Sequence, residues 1–169
     1  MFAVADDPVK LGLVASLSRP GANVTGINFF SAELVAKRLA LLRELLPAAM
    51  RVAALINPSD KTQREDTEKQ LERAARALGL ETYVIHATSH QEIDEAFAAL
   101  ARDRPDALFV GPDGFFNSRR VQLAILAARY TIPATFAVRD YVEAGGLMSY
   151  GTNIKASKSR PLCSPAPTR

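Results

Sequence analysis

The chain has 169 residues, of which 48% are hydrophobic and 23% charged, and its formal net charge is +3. This size and mixture are those of a globular protein with one α/β domain, or with one lobe plus pieces of another. The basic residues are dispersed, with Arg38 and Arg43 on one segment and Arg119 and Arg120 on another. Dispersal favours a solvated surface of mixed sign over a nucleic-acid patch. No stretch approaches the roughly 20 apolar residues of a membrane span, so none is expected.

Metal and disulfide chemistry find little support in the sequence. Cys163 is the single cysteine, so no disulfide can form within the chain. His86 and His90 are four residues apart, a spacing that could hold a metal on one helix. A strand is predicted to end near His86 and a helix to begin near Ser89. The two histidines would then not lie on one face of the same helix. We therefore expect no metal and no cofactor.

The first half of the chain alternates between helical and strand patterns. A helix is predicted over 33–46, with Ser31 as its N-cap and with Val35, Leu39, Leu42 and Leu46 facing the core. The apolar run 51–57 predicts a buried strand, and a helix over 60–78 is followed by Gly79 at the C′ position. A strand over 81–87 precedes a helix over 90–103, for which Ser89 and Glu92 form a capping box.

The same alternation continues in the second half. Strands are predicted over 106–111, 132–138 and 147–150. The helix between the first two covers 117–130, with its inward face formed by Val121, Ala124, Ile125 and Ala128. Repeated strand–helix order predicts a mainly parallel sheet with helices on both faces. Ligands of such sheets lie beyond the carboxyl ends of the strands, and four loops fall there: Asn57–Asp60, Thr88–His90, Gly111–Asn117 and Val138–Tyr141.

Asp113 is the most informative polar residue, because it follows an apolar strand directly and precedes a helix. Its carboxylate could pair with a ligand ammonium group in a cleft, or it could cap the helix. Phe115 and Phe116 could line a cleft or plug the edge of the domain. Asn57 and Ser59 occupy the equivalent point of another strand, although Asn-Pro is also ordinary turn chemistry. Phosphate-loop, dinucleotide-binding and nucleophile-elbow motifs do not occur.

Several segments together resemble one known family. The segments Ser18–Gly26 (SRPGANVTG) and Glu143–Gly151 (EAGGLMSYG) are the most specific, and the resemblance extends from about Asp7 to about Asn153. The order of segments is similar to that of ABC transporter substrate-binding proteins with tryptophan- and phenylalanine-binding members. Such proteins resemble type I periplasmic binding proteins, in which a ligand is enclosed between two α/β lobes joined by crossing strands.

The resemblance implies a division of the chain and a set of ligand contacts. Residues 1–22 would be a remnant of the first lobe, 23–30 a hinge crossing, 31–145 the second lobe and 146–154 the return crossing. It also implies a small amino acid-like or related organic solute, and a permease as partner. The oligomeric state stays open. Six residues are expected near the cleft: Asn57, Ser59, Asp113, Phe115, Arg139 and Tyr150.

Both ends depart from the family pattern. Segment 155–169 has three prolines, three serines and little apolar content, so it is expected to be disordered and resembles out-of-frame translation. We therefore expect a truncated protein. The start MFAVADDPVK lacks the basic and apolar regions of a signal peptide, which by itself predicts a cytoplasmic chain, whereas the full-length family is extracytoplasmic.

The preferred hypothesis is a solute-binding component of an ABC-type importer that catalyses no reaction. Two alternatives belong to other classes. The effector-binding lobe of a transcriptional regulator would share this fold, but no helix-turn-helix segment precedes residue 30. An α/β enzyme would need a nucleophile–base pair or a metal cluster at the strand ends, where the sequence offers only Asp113 and scattered hydroxyl groups.

Overall fold

The computed structural model describes residues 31–151 together with the strands Phe2–Val4 and Gly26–Asn28, and it describes side chains from residue 34 onward. The predicted tail 155–169 and most of segments 1–22 and 23–30 lie outside these residues. The helices are α1 Ser31–Leu45, α2 Lys61–Leu78, α3 His90–Asp103, α4 Gly114–Ser118, α5 Arg120–Arg129 and α6 Asp140–Glu143. The strands are β1 Phe2–Val4, β2 Gly26–Asn28, β3 Arg51–Ile56, β4 Glu81–His86, β5 Ala107–Val110, β6 Ala134–Phe136 and β7 Met148–Ser149.

Five of the strands form one parallel sheet, in the order β4-β3-β5-β6-β7. Strands β1 and β2 pair with each other in a separate parallel sheet. The α/β class and the parallel arrangement predicted from the alternating elements are confirmed. Central strand β3 is buried from Val52 to Ile56, which explains why it is a continuous apolar run rather than an alternating one.

Two apolar clusters cover the two faces of the five-stranded sheet. On one face, α1 and α2 pack against β3 and β5 through residues that include Leu39, Leu71 and Phe109. On the other face, α3 and α5 pack through residues that include Phe97 and Leu123. The helices therefore lie on both sides of the sheet, as predicted.

Local capping contacts set both ends of α2 and the start of α3, with Gly79 and Ser89 in the predicted roles, whereas Ser31, predicted as an N-cap, is the first residue of α1 itself. The Asp60 side chain accepts from the Gln63 amide at the start of α2, and Gly79 ends that helix with a φ of 66°. Ser89 accepts from the Glu92 amide at 3.2 Å. The Glu92 carboxylate differs from a simple capping box, because its Oε2 accepts from the Thr88 amide at 2.7 Å.

Glu92 should make folding sensitive to acid. Hydrogen bonds from the backbone and side chain of Thr88 lower the pKa of this carboxyl below its ordinary value of 4.5. A depressed folded-state pKa gives stability that is present above the ordinary value and is lost as pH falls through the lowered one. We expect Glu92→Gln to lower the melting temperature near neutral pH and to match the wild type once Glu92 is protonated. A difference that persists unchanged in strong acid would contradict this linkage.

The predicted helix 117–130 is wrong in its boundaries and in most of its buried face, because only Ala124 of the predicted inward residues is buried and Ala128 is exposed. Two helices, α4 and α5, meet at Arg119, and α5 buries Leu123, Ala124 and Ala127. Val121 and Ile125, predicted to face inward, are 53% and 57% exposed. The segment RVQLAILAAR is apolar on almost every side, so periodicity alone does not select the face that packs.

Candidate binding site at the carboxyl edge of the sheet

The strand order places a switch point between β3 and β5. From β3 the chain crosses to β4 on one side, and it then returns to β5 on the other side. The loops after β3 and β5 therefore leave the sheet in opposite directions, which opens a crevice at their carboxyl ends. Asn57 follows β3 directly, and Gly111–Asp113 follow β5.

Asn57 and Asp113 meet across this crevice. The Asn57 Nδ2 donates to Asp113 Oδ1 at 3.0 Å, and the Asn57 Oδ1 accepts from the Ser59 amide at 3.0 Å. Gln63 of α2 donates from Nε2 to the Pro112 carbonyl at 2.7 Å. The loop after β5 is therefore fixed both to the end of β3 and to α2.

Asp113 is the N-cap of α4. Its Oδ1 accepts from the amides of Phe115 at 2.8 Å and Phe116 at 3.1 Å, in addition to Asn57. Among the described residues, Asp113 Oδ2 accepts no hydrogen bond, and the residue is half-buried. The capping alternative is thus realised, while one carboxylate oxygen stays available to a further donor.

The two phenylalanines after Asp113 differ in burial. Phe116 is fully buried in the core, whereas Phe115 is partly buried and packs against its edge. Their rings are 5.8 Å apart, and the Arg119 guanidinium lies 5.9 Å from the Phe115 ring centroid. Phe116 is therefore a core residue, and of the two rings only that of Phe115 keeps partly exposed surface.

Arg139 and Tyr150 lie at the same edge of the sheet but away from the Asn57–Asp113 pair. Arg139 follows β6 and approaches Glu143 at 3.8 Å between Nε and Oε1. Tyr150 follows β7, is 40% exposed and donates its amide to the Phe136 carbonyl at 3.1 Å. Within the described part of the chain, no hydrogen bond or ion pair joins either residue to Asn57, Ser59 or Asp113.

Arg38 contradicts the expectation that the basic residues form a solvated surface. It is 1% exposed, and its Nη2 donates to the carbonyls of Val110 at 2.6 Å and Thr135 at 2.7 Å. Its guanidinium lies 4.1 Å from the Phe109 ring centroid, and burial lowers the pKa of Arg38 to about 9. The signal was present in the sequence, because Arg38 lies three residues after Val35 and four before Leu42 on the apolar face.

Tyr141 is a second residue that sequence reasoning did not select for the site. It is 2% exposed and stacks on Phe136 with ring centroids 4.4 Å apart. Burial raises the pKa of the Tyr141 hydroxyl first of all, and the Asp113 carboxylate raises it further while Arg38 lowers it. The Tyr141 hydroxyl is therefore a buried group whose pKa responds to charges on both Arg38 and Asp113.

Gly146 has no room for a side chain. A Cβ there would lie 2.8 Å from Phe136 Cε2 and 2.9 Å from the Tyr141 carbonyl oxygen. We expect Gly146→Ala to cost about 1–3 kcal/mol of stability, as overpacking does, and to displace β7 and Tyr150. Gly114→Ala is the matched control, since nothing lies within 4 Å of its Cβ position. Equal melting temperatures for the two variants would refute the steric explanation.

The described residues enclose little space at the crevice. A recess of about 10 Å³, the size of one water molecule, lies among Asn57, Gln63, Thr67 and Asp113. A larger groove of about 320 Å³ lies elsewhere, between α2 and edge strand β4, beside Glu65, Glu68 and Glu72.

No group of three or more His, Cys, Asp or Glu residues suited to a metal occurs in the described part. No described helix is long and apolar enough to cross a membrane.

Comparison with known proteins decides the family. The profile of the ABC transporter substrate binding proteins matches residues 1–157. The chain belongs to this family. The resemblance drawn from SRPGANVTG and EAGGLMSYG is thereby confirmed.

Relatives in this family include amino acid-binding proteins. A tyrosine-binding protein of Clostridioides difficile (strain R20291) is 27% identical over 155 residues, which cover 92% of this chain and 44% of that protein. The ligand-free, open structure of a substrate-binding protein with adhesive properties from Clostridium difficile has a TM-score of 0.69 and 29% identity, and covers 86% of this chain and 48% of that one. An L-Trp complex of an ABC domain from Streptococcus pneumonia has a TM-score of 0.64 and 27% identity, with coverage of 87% and 49%. The chain thus spans about half the length of these relatives.

Proposed function

We propose that this chain forms one wall of the solute site of an ABC-type importer's binding component, and that the solute is an amino acid with an aromatic side chain. The observation that carries the proposal is the Asn57–Asp113 pair at the switch point between β3 and β5. Open α/β sheets bind their ligands at such points. The tyrosine-binding relative and the L-Trp complex support the ligand class.

Each side chain at the edge has a chemical role in this proposal. Asp113 Oδ2 accepts from the ligand ammonium group, and Asn57 and the α4 amides hold Oδ1 in place. The partly buried ring of Phe115 packs against the ligand ring, since aromatic pairs prefer offset or edge-to-face contact. Ser59, Arg139 and Tyr150 contribute polar groups from the rim of the same edge.

Binding in this proposal is a conformational event with no bond chemistry. Two α/β lobes close around the solute by a hinge motion, and the recess of about 10 Å³ on this lobe is then completed by the opposing lobe. Residues 31–145 are the second lobe, and 23–30 and 146–154 are the crossings. The parallel pairing of β1 with β2, apart from the five-stranded sheet, supports this division. The permease is the partner, and the site of action is extracytoplasmic.

The test is a calorimetric titration with L-tryptophan, L-tyrosine and L-phenylalanine, with L-alanine and short organic acids as comparison ligands. We expect heat of binding from the aromatic amino acids and much weaker binding of alanine. Common hydrolase substrates are assayed in parallel. Turnover that is abolished by Asp113→Asn would overturn the binding function, and equal affinity for alanine and tyrosine would overturn the ligand class.

A further inference from the structure

Arg38 combines features that a simple core residue lacks. It is a cation with 1% exposure, and it takes part in none of the ion pairs among the described residues. Its Nε is buried without a hydrogen-bond partner in that part of the chain. Burying a charge without an opposite charge is unfavourable, and natural proteins break such rules mostly at functional sites.

The position of its two contacts is specific. Pairing between β5 and β6 ends at Phe109 with Thr135. Arg38 Nη2 donates to the carbonyl of Val110, one residue beyond the last β5 residue that pairs with β6, and to that of Thr135. The guanidinium therefore joins the two strands where their ladder stops.

Two loops of the proposed site depart from that point. Val110 is followed by Gly111-Pro112-Asp113, and β6 is followed by Ala137-Val138-Arg139. The guanidinium is itself held over the Phe109 ring at 4.1 Å, within the range of a cation–π contact. Loss of the Arg38 contacts would therefore remove one restraint that both loops share, while the contacts of Asn57 and Gln63 with the loop after β5 would stay.

We propose that Arg38 is a positioning residue, whose guanidinium bridges the ends of β5 and β6 and so holds the Asp113 and Arg139 loops at a fixed separation. That these loops line a solute site rests on the proposed function, whereas the bridge between the two strand ends is a property of the chain alone. In this role Arg38 sets the separation of the two loops and makes no contact with the solute.

The test compares amide exchange in Arg38→Met with that in Leu42→Ala, a buried position one turn further along α1. Both variants are measured at equal distances below their melting temperatures, which removes the effect of global stability. We expect segments 111–117 and 137–142 to exchange roughly tenfold faster in Arg38→Met than in Leu42→Ala, because two hydrogen bonds from a charged group are lost. Equal exchange in the two variants would overturn the inference.

A second variant and a ligand titration separate the remaining outcomes. Arg38→Lys keeps a cation that can donate to the same carbonyls, so we expect its protection to fall between those of the wild type and Arg38→Met. Should Arg38→Met fail to fold, Arg38→Lys carries the comparison with Leu42→Ala. Absence of L-tyrosine binding by the wild type would contradict the proposed function, whereas the exchange measurement would still decide the role of Arg38.

Discussion

Asp113→Asn is expected to keep the fold and to weaken binding of an aromatic amino acid by about 2–3 kcal/mol, the contribution of a charged hydrogen bond, or roughly 30- to 150-fold. Asparagine is as good an N-cap as aspartate, so the contacts of Asp113 Oδ1 with the Phe115 and Phe116 amides have a replacement. The loss is therefore confined to the negative charge that, in the proposed function, pairs with the ligand ammonium group.

Matched variants and ligands make this prediction specific. Asp113→Ala removes the cap as well, and we expect it to lower stability by about 1 kcal/mol or more. The comparison ligand is 3-(4-hydroxyphenyl)propionate, which resembles tyrosine but lacks the ammonium group, so its affinity should not fall in Asp113→Asn. Calorimetry with both ligands and thermal melts of both variants are the measurements. Unchanged tyrosine affinity in Asp113→Asn would remove Asp113 from the site and leave it only as a cap.

Phe116→Ala is expected to cost about 3–5 kcal/mol of stability, because a fully buried ring leaves a cavity in the core shared by α3, α5 and β5. The neighbouring Phe115→Ala supplies the contrast, since Phe115 is only partly buried. We expect a smaller loss of stability there and a larger loss of affinity for an aromatic ligand.

Chemical denaturation of the two variants, followed by tyrosine titration of each, checks this division of roles. The slope of the denaturation curve should not change, so a shifted midpoint reports stability directly. If Phe115→Ala destabilises as much as Phe116→Ala and binds tyrosine as the wild type does, then Phe115 is a core residue and not part of the site.

Most of the sheet between residues 51 and 136 follows from the sequence, because buried parallel strands are short apolar runs between capped helices. Asp60, Gly79 and Ser89 each cap a helix end, and the position of such an end depends on local hydrogen bonds and backbone conformation. Sequence patterns predict less well those features that tertiary packing determines, such as the buried face of a helix or the length of a strand. The buried face of α5 could not be chosen from an almost wholly apolar segment. Strand β6 is also shorter than the apolar run 132–138 predicts, since it pairs with β5 only as far as Thr135 and with β7 only as far as Phe136.

The candidate site also depends on tertiary features that the sequence does not reveal. Strand order, which is a tertiary property, creates the switch point that brings Asn57 to Asp113. The sequence placed both residues after strands, but it could not decide between capping and ligand binding for Asp113. The dispersal of the basic residues along the chain predicts a surface position for Arg38, and this prediction is wrong. The partners of Arg38 are the backbone carbonyls of Val110 and Thr135, which no sequence pattern identifies.

The most direct measurement is a backbone amide NMR titration of the chain with L-tyrosine. Asn57, Ser59, Phe115 and Arg139 report on the carboxyl edge, while Glu68 and Val84 report on the groove between α2 and β4. We expect saturable shifts at the carboxyl-edge amides and none at the groove. Shifts that are confined to the α2–β4 groove, or absent from the whole chain at millimolar tyrosine, would contradict a solute site at the switch point between β3 and β5.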